Sequence, residues 1–133
     1  MSTRIGLSPE GAGALQHVKD RRDVNTVIFR CTQTPRALVL EREGNLTHDE
    51  LVQALPPDAA RLVVYELAFA TPEGSRKHET LLILWMPSNA DAQEEAWTPA
   101  YETVKEVLPN VHVHLTARRP EHLEYRRLVA LAG

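Results

Sequence analysis

Apolar positions recur along this chain in two periods, and the switches between them predict the order of its elements. Asn25 to Thr32 (NTVIFRCT) is rich in β-branched and aromatic residues, and Arg36 to Glu41 (RALVLE) alternates beyond a Gln33-Thr34-Pro35 turn. The two read as a hairpin. Arg61 to Ala70 (RLVVYELAFA) is the clearest strand, and Pro72-Glu73-Gly74-Ser75 turns it back into another, whose apolar end Leu81-Leu82-Ile83-Leu84-Trp85 stops at Met86-Pro87. Val111 to Thr116 (VHVHLT) alternates as a last strand.

Helical signals lie between these runs. Ser8-Pro9-Glu10 is a helix start: a hydroxyl to cap free amides, a proline whose missing N–H costs nothing there, and a carboxylate near the positive end. Leu15 and Val18 give that helix its buried stripe, while Gly11 and Gly13 weaken it. Thr47 and Glu50 stand at capping-box spacing before Leu51, Val52 and Leu55, and Pro56-Pro57 ends the segment. After Pro87 a long helix is expected, ending in Val104, Val107 and Leu108, with an acidic outer face at Asp91, Glu94 and Glu95. Pro120 opens a final helix through Leu123, Leu128 and Leu131. Helices and strands interspersed along one chain predict an α/β (α+β) fold: a central mixed β-sheet flanked by helices on both faces. A length of 133 residues fits one domain, 1–133, with residues 1–7 a flexible N-terminal segment.

Composition narrows the function classes. With 43% hydrophobic and 25% charged residues the chain folds rather than staying disordered. A net charge of -3 and a pI near 6.1 give no bulk reason to bind nucleic acid. Cys31, the only cysteine, excludes an internal disulfide and falls in an apolar run that reads as burying its thiol. No run approaches the ~20 apolar residues of a membrane span, and the N-terminus lacks a signal peptide's apolar core, so a cytoplasmic protein is expected; a single domain without an obvious extra apolar face is expected to be a monomer. His112 and His114 share a strand face at a spacing zinc can use, but no motif supplies a third ligand. No metal site is expected, and the chemistry of catalysis finds no support in the motifs. Gly11-Ala12-Gly13 lies inside a helix rather than after a strand, and no serine nucleophile elbow is present.

Leu55-Pro56, Asp58, Arg61, Val64-Tyr65-Glu66 and Phe69, then Gly74 followed by basic residues, then Trp85 and Pro87, resemble the signature of the actin-depolymerising factor homology (ADF-H) domain of the ADF/cofilin family. The resemblance covers nearly the whole chain. It implies a non-enzymatic domain with no catalytic centre and no required cofactor, whose partner is actin and whose place is the cytoskeleton.

The resemblance also places the contact residues. One surface would comprise the N-terminal Thr3, Arg4 and Ile5 with Gln93, Glu94, Trp97, Tyr101 and Lys105 of the long helix; Trp97 would supply apolar insertion. Thr3 occupies the place of the family's regulatory serine, and a phosphate there adds roughly two negative charges; an ordinary hydroxyl-bearing tail is the alternative reading. A filament-binding surface would comprise Arg76, Lys77 and Glu79 of the hairpin with Arg118, Arg119, Arg126 and Arg127. The same cations suit phosphoinositide head groups, or form a solvated face. Where the family shows a basic pair and a methionine, this chain has Ala92 to Ala96 (AQEEA), which points to weakened monomer binding or to helix-start carboxylates favoured by the macrodipole. The function implied is filament binding with severing and depolymerisation. The alternative is a diverged interaction module, coactosin-like on filaments or glia-maturation-factor-like on the Arp2/3 complex, without monomer binding.

Overall fold

The computed structural model describes residues 6–20, 24–33, 36–57, 59–87, 97–109, 111 and 113–132, with the backbone alone at 31–33, 36 and 98. Its strands are β1 (Gly6–Leu7), β2 (Thr26–Gln33), β3 (Arg36–Gly44), β4 (Arg61–Ala70), β5 (Arg76–Trp85) and β6 (Val113–Ala117). Its helices are α1 (Pro9–Lys19), α2 (His48–Ala54), α3 (Thr98–Val107) and α4 (Tyr125–Ala132), with a short 3-10 helix at Pro120–Leu123. The strands form one six-stranded sheet in the order β1-β3-β2-β4-β5-β6. The outermost pairs, β1 with β3 and β5 with β6, are parallel, and the pairs between them are antiparallel. The expected mixed sheet is therefore present.

Both faces of the sheet are buried, which explains why its central strands read as continuous apolar runs rather than strict alternations. Val27, Phe29, Leu62, Val64, Leu82 and Leu84 face α1 and α3, packing on Leu15, Val18, Ala100 and Val104. Ile28, Val63, Tyr65, Leu67, Leu81, Ile83 and Trp85 face the other way, onto Leu51 of α2, Leu123 of the 3-10 helix and Leu128 of α4. Trp85 also donates its indole N–H to the Pro56 carbonyl at 2.6 Å, tying the loop after α2 to the end of β5.

The local signals act as their chemistry requires. Ser8 Oγ accepts the Gly11 N–H at 3.0 Å, with Pro9 in the first turn of α1. The Thr47 hydroxyl accepts the Glu50 N–H at 3.1 Å while the Glu50 carboxylate accepts the Thr47 N–H at 2.9 Å, closing the capping box. These bonds hold the Glu50 carboxyl below its ordinary value, the backbone N–H of Thr47 contributing most. Gly74 takes φ of 88°, a conformation that favours glycine, in the β4–β5 turn.

Other expectations need correction. Gly6 and Leu7, assigned to the flexible N-terminal segment, pair with Ala37 and Leu38, and the Ser8 N–H continues the contact to the Leu38 carbonyl. The final helix is broken at Glu124, whose ψ of 139° is extended. In an unbroken helix Leu123 and Leu128 would stand about 140° apart around the axis; the break lets both reach the core, where each is fully buried. The last strand starts at Val113 rather than Val111, because Val111 is buried in a loop and donates its N–H to Leu108. The burial expected of the Cys31 thiol and the acidic start of the long helix at Asp91, Glu94 and Glu95 lie outside the described residues.

Candidate functional site

The sheet separates two exposed surfaces. On the α1/α3 side, Ala100 and Val104 turn one stripe of α3 into the core, which leaves Tyr101 half-buried at its margin and Lys105 exposed one turn further on. The neighbouring edge strand β6 contributes His114, whose register partner Leu82 fixes it on this same side. Lys105 Nζ lies 3.4 Å from His114 Nε2, and the Tyr101 and His114 rings are 6.1 Å apart at a 34° tilt. A phenol, an ammonium and an imidazole thus meet at the seam between α3 and β6. Trp97 is not part of this outward surface: it is only 6% exposed and packs in the core with Ala100 and Val104, correcting its expected role as an inserting wedge. An indole just before α3 buries more apolar area inside than any exposed position allows. Thr3, Arg4, Ile5, Gln93 and Glu94 lie outside the described residues.

The second surface spans the β4–β5 hairpin and α4. Register places Lys77 opposite Phe69 and Glu79 opposite Leu67, both on the α2/α4 side, whereas Arg76 pairs with Ala70 and His78 with Ala68 on the α1/α3 side. Arg76 and Lys77 are both exposed, but strand alternation sends them to opposite faces. Glu79 is half-buried. Arg118, Arg119, Arg126 and Arg127 are all exposed. The Arg118 N–H donates to His122 Nδ1 at 3.0 Å, and Arg119 Nε stands 4.0 Å from Glu121. The hairpin and α4 are joined directly, since the Tyr125 hydroxyl donates to the Ala68 carbonyl at 2.9 Å. Tyr125 remains 44% exposed between the hairpin and the arginines that follow it, and Leu131 is 53% exposed. Beneath it, burial pushes the Tyr65 phenol above its ordinary value, and Tyr125 adds to the shift. His48 meets the Tyr125 ring edge-on at 6.2 Å and bonds through Nε2 to the Leu123 carbonyl, which ties α2 to the 3-10 helix and to the start of α4.

Among the described residues no cluster of three or more His, Cys, Asp or Glu side chains is placed to hold a metal ion. No described helix is long and apolar enough to cross a membrane. The described residues present two surfaces of aromatic rings and cations on one sheet. Residues 4–131 match the family described as cofilin/tropomyosin-type actin-binding protein.

The chain belongs to that family.

This cofilin-type chain is 26% identical over 129 residues to actophorin of Entamoeba histolytica, a match that covers 95% of the chain and 93% of that protein. Its fold is similar to the crystal structure of Streptomyces griseoflavus cofilin, with a TM-score of 0.83 at 17% identity over 97% of each chain. It is equally similar to coactosin from Entamoeba histolytica, with a TM-score of 0.83 at 24% identity over 98% of this chain and 96% of the other. At such identities the two structures show a shared fold. At these two surfaces, sequence reasoning missed His114 as a neighbour of Lys105 and Tyr125 as the link between α4 and the hairpin. Alternation along β6 places His114 on one face, but only the packing of α3 over that edge tells which side chains it meets.

Proposed function

We propose that this chain binds actin filaments and promotes their severing and depolymerisation. The observation that carries the reading is the exposed basic surface, Lys77 of the hairpin with Arg126 and Arg127 of α4 around a half-exposed Tyr125, on a chain of the cofilin-type family. Guanidinium groups suit carboxylates on an acidic partner, and an aromatic ring amid cations supplies contact area at low entropic cost. The second contact is Tyr101 and Lys105 of α3, joined by the N-terminal Thr3, Arg4 and Ile5 and by Gln93 and Glu94. Two surfaces on opposite sides of one sheet suit a ligand that touches two neighbouring subunits of a polymer. Severing then needs no bond chemistry: a ligand that prefers one filament geometry shifts the filament toward it by that preference alone. The acidic stretch at Glu94 and Glu95 weakens capture of monomers, and phosphate on Thr3 would weaken the contact to which the N-terminal segment belongs. Cosedimentation with filaments, light scattering of filament length and a titration against monomers, run side by side, test the reading. Pelleting with shortened filaments and weaker monomer binding is expected; failure to pellet sinks it.

A further inference from the structure

We infer that His114 is a positioning residue of the α3 contact: it holds the Lys105 ammonium beside Tyr101 before a partner arrives. The inference rests on the filament-binding reading above and adds to it a residue that the sequence marks only as half of a histidine pair. Lys105 has three donors and no acceptor, so at 3.4 Å its ammonium donates to the Nε2 lone pair of His114. The ring must then be neutral with its proton on Nδ1.

The arrangement has a consequence for binding. A lysine on an exposed helix samples many rotamers, and ordering it at an interface costs free energy that subtracts from affinity. His114 lies on the sheet, in a strand held by five register pairs to β5, so the acceptor is anchored on a different element from the donor. The Tyr101 ring, 6.1 Å from the imidazole, occupies the adjoining margin of the same seam. Lys105 is therefore presented from a preset direction, next to an aromatic surface, rather than as a mobile point charge. Tyr101 makes a further interaction of its own.

The test uses the full chain and filament cosedimentation on Lys105→Ala, His114→Ala, the double variant and His114→Gln. Loss of the preset lysine is expected to weaken His114→Ala by about 3- to 10-fold. The double variant should bind like Lys105→Ala, because His114 acts through the lysine. His114→Gln should recover most of the affinity, since its amide oxygen can accept the same hydrogen bond. His114 is exposed, so the unfolding midpoint should not move in any histidine variant. Nitrogen NMR of the free chain at pH 8 should show the Nδ1–H tautomer at His114. Unchanged binding by His114→Ala, losses that simply add in the double variant, or the opposite tautomer overturns the assignment. If the unsubstituted chain fails to pellet with filaments, the filament reading itself fails, whereas pelleting with an inert His114→Ala removes only this inference.

Discussion

Two glycines of α1, two residues apart, separate the cost of a missing side chain from the need for one to be missing. Both remove about 1 kcal/mol of helix propensity relative to alanine. A Cβ on Gly13 would meet nothing within 4 Å, so Gly13→Ala is expected to stabilise the chain by about 0.5–1 kcal/mol. A Cβ on Gly11 would lie 2.8 Å from Phe29 Cε1, 3.0 Å from Leu7 Cδ1 and 3.1 Å from Ser8 Oγ. Phe29 is fully buried and cannot step aside, and Ser8 Oγ is the group that caps the helix. Overpacking of this kind costs about 1–3 kcal/mol, so Gly11→Ala should lower stability despite the better propensity. Urea unfolding midpoints that move in opposite directions check the pair. Gly11 thus owes its place to the close approach of α1 to β2, a reason that the sequence, where both glycines merely weaken a helix, does not contain.

At the scale of elements, the parts readable in advance are those whose signals are closed by their own neighbours. The Ser8 cap, the Thr47–Glu50 box and the Gly74 turn each use residues three or four apart, and each stands in the structure as the spacing predicts. Thr47→Ala should cost about 1 kcal/mol of stability by urea unfolding, because it leaves amides of the first turn uncapped. Glu50 gives the same box a pH signature. Its carboxyl is held below the ordinary 4.5, so its contribution is present above that value and disappears as pH falls through the lower folded value. The acid limb of the stability profile should therefore flatten in Glu50→Gln. What escaped the sequence depended on distant partners instead. The Gly6–Leu7 strand exists because β3 has a free edge, the break at Glu124 because Leu123 and Leu128 must both reach the core, and the burial of Trp97 because α3 lies over Leu82 and Leu84. Of the candidate site, the cations were legible because charge is written in composition, but their faces were not, since they follow from register.

For the whole molecule, register is what divides one basic hairpin between two sides of the sheet. Arg76 and Lys77 are consecutive and both exposed, yet Lys77 leaves on the side of α4 and Arg76 on the side of α1 and α3. If the filament contact is built from the hairpin together with Arg126 and Arg127, Lys77 belongs to it and Arg76 stands at its rim. Lys77→Glu replaces an attraction by a repulsion against an acidic partner, and about 1.4 kcal/mol or more lost there means a tenfold or greater drop in filament affinity. Arg76→Glu, screened by solvent on the other face, should cost about two- to threefold. Raising ionic strength should weaken the unsubstituted chain more steeply than Lys77→Glu, because the variant has less attraction left to screen. Neither substitution removes a buried group, so unfolding midpoints should stay together and any difference in pelleting reports the interface. Equal losses from Arg76→Glu and Lys77→Glu would place the partner around both faces of the hairpin and move the contact away from α4.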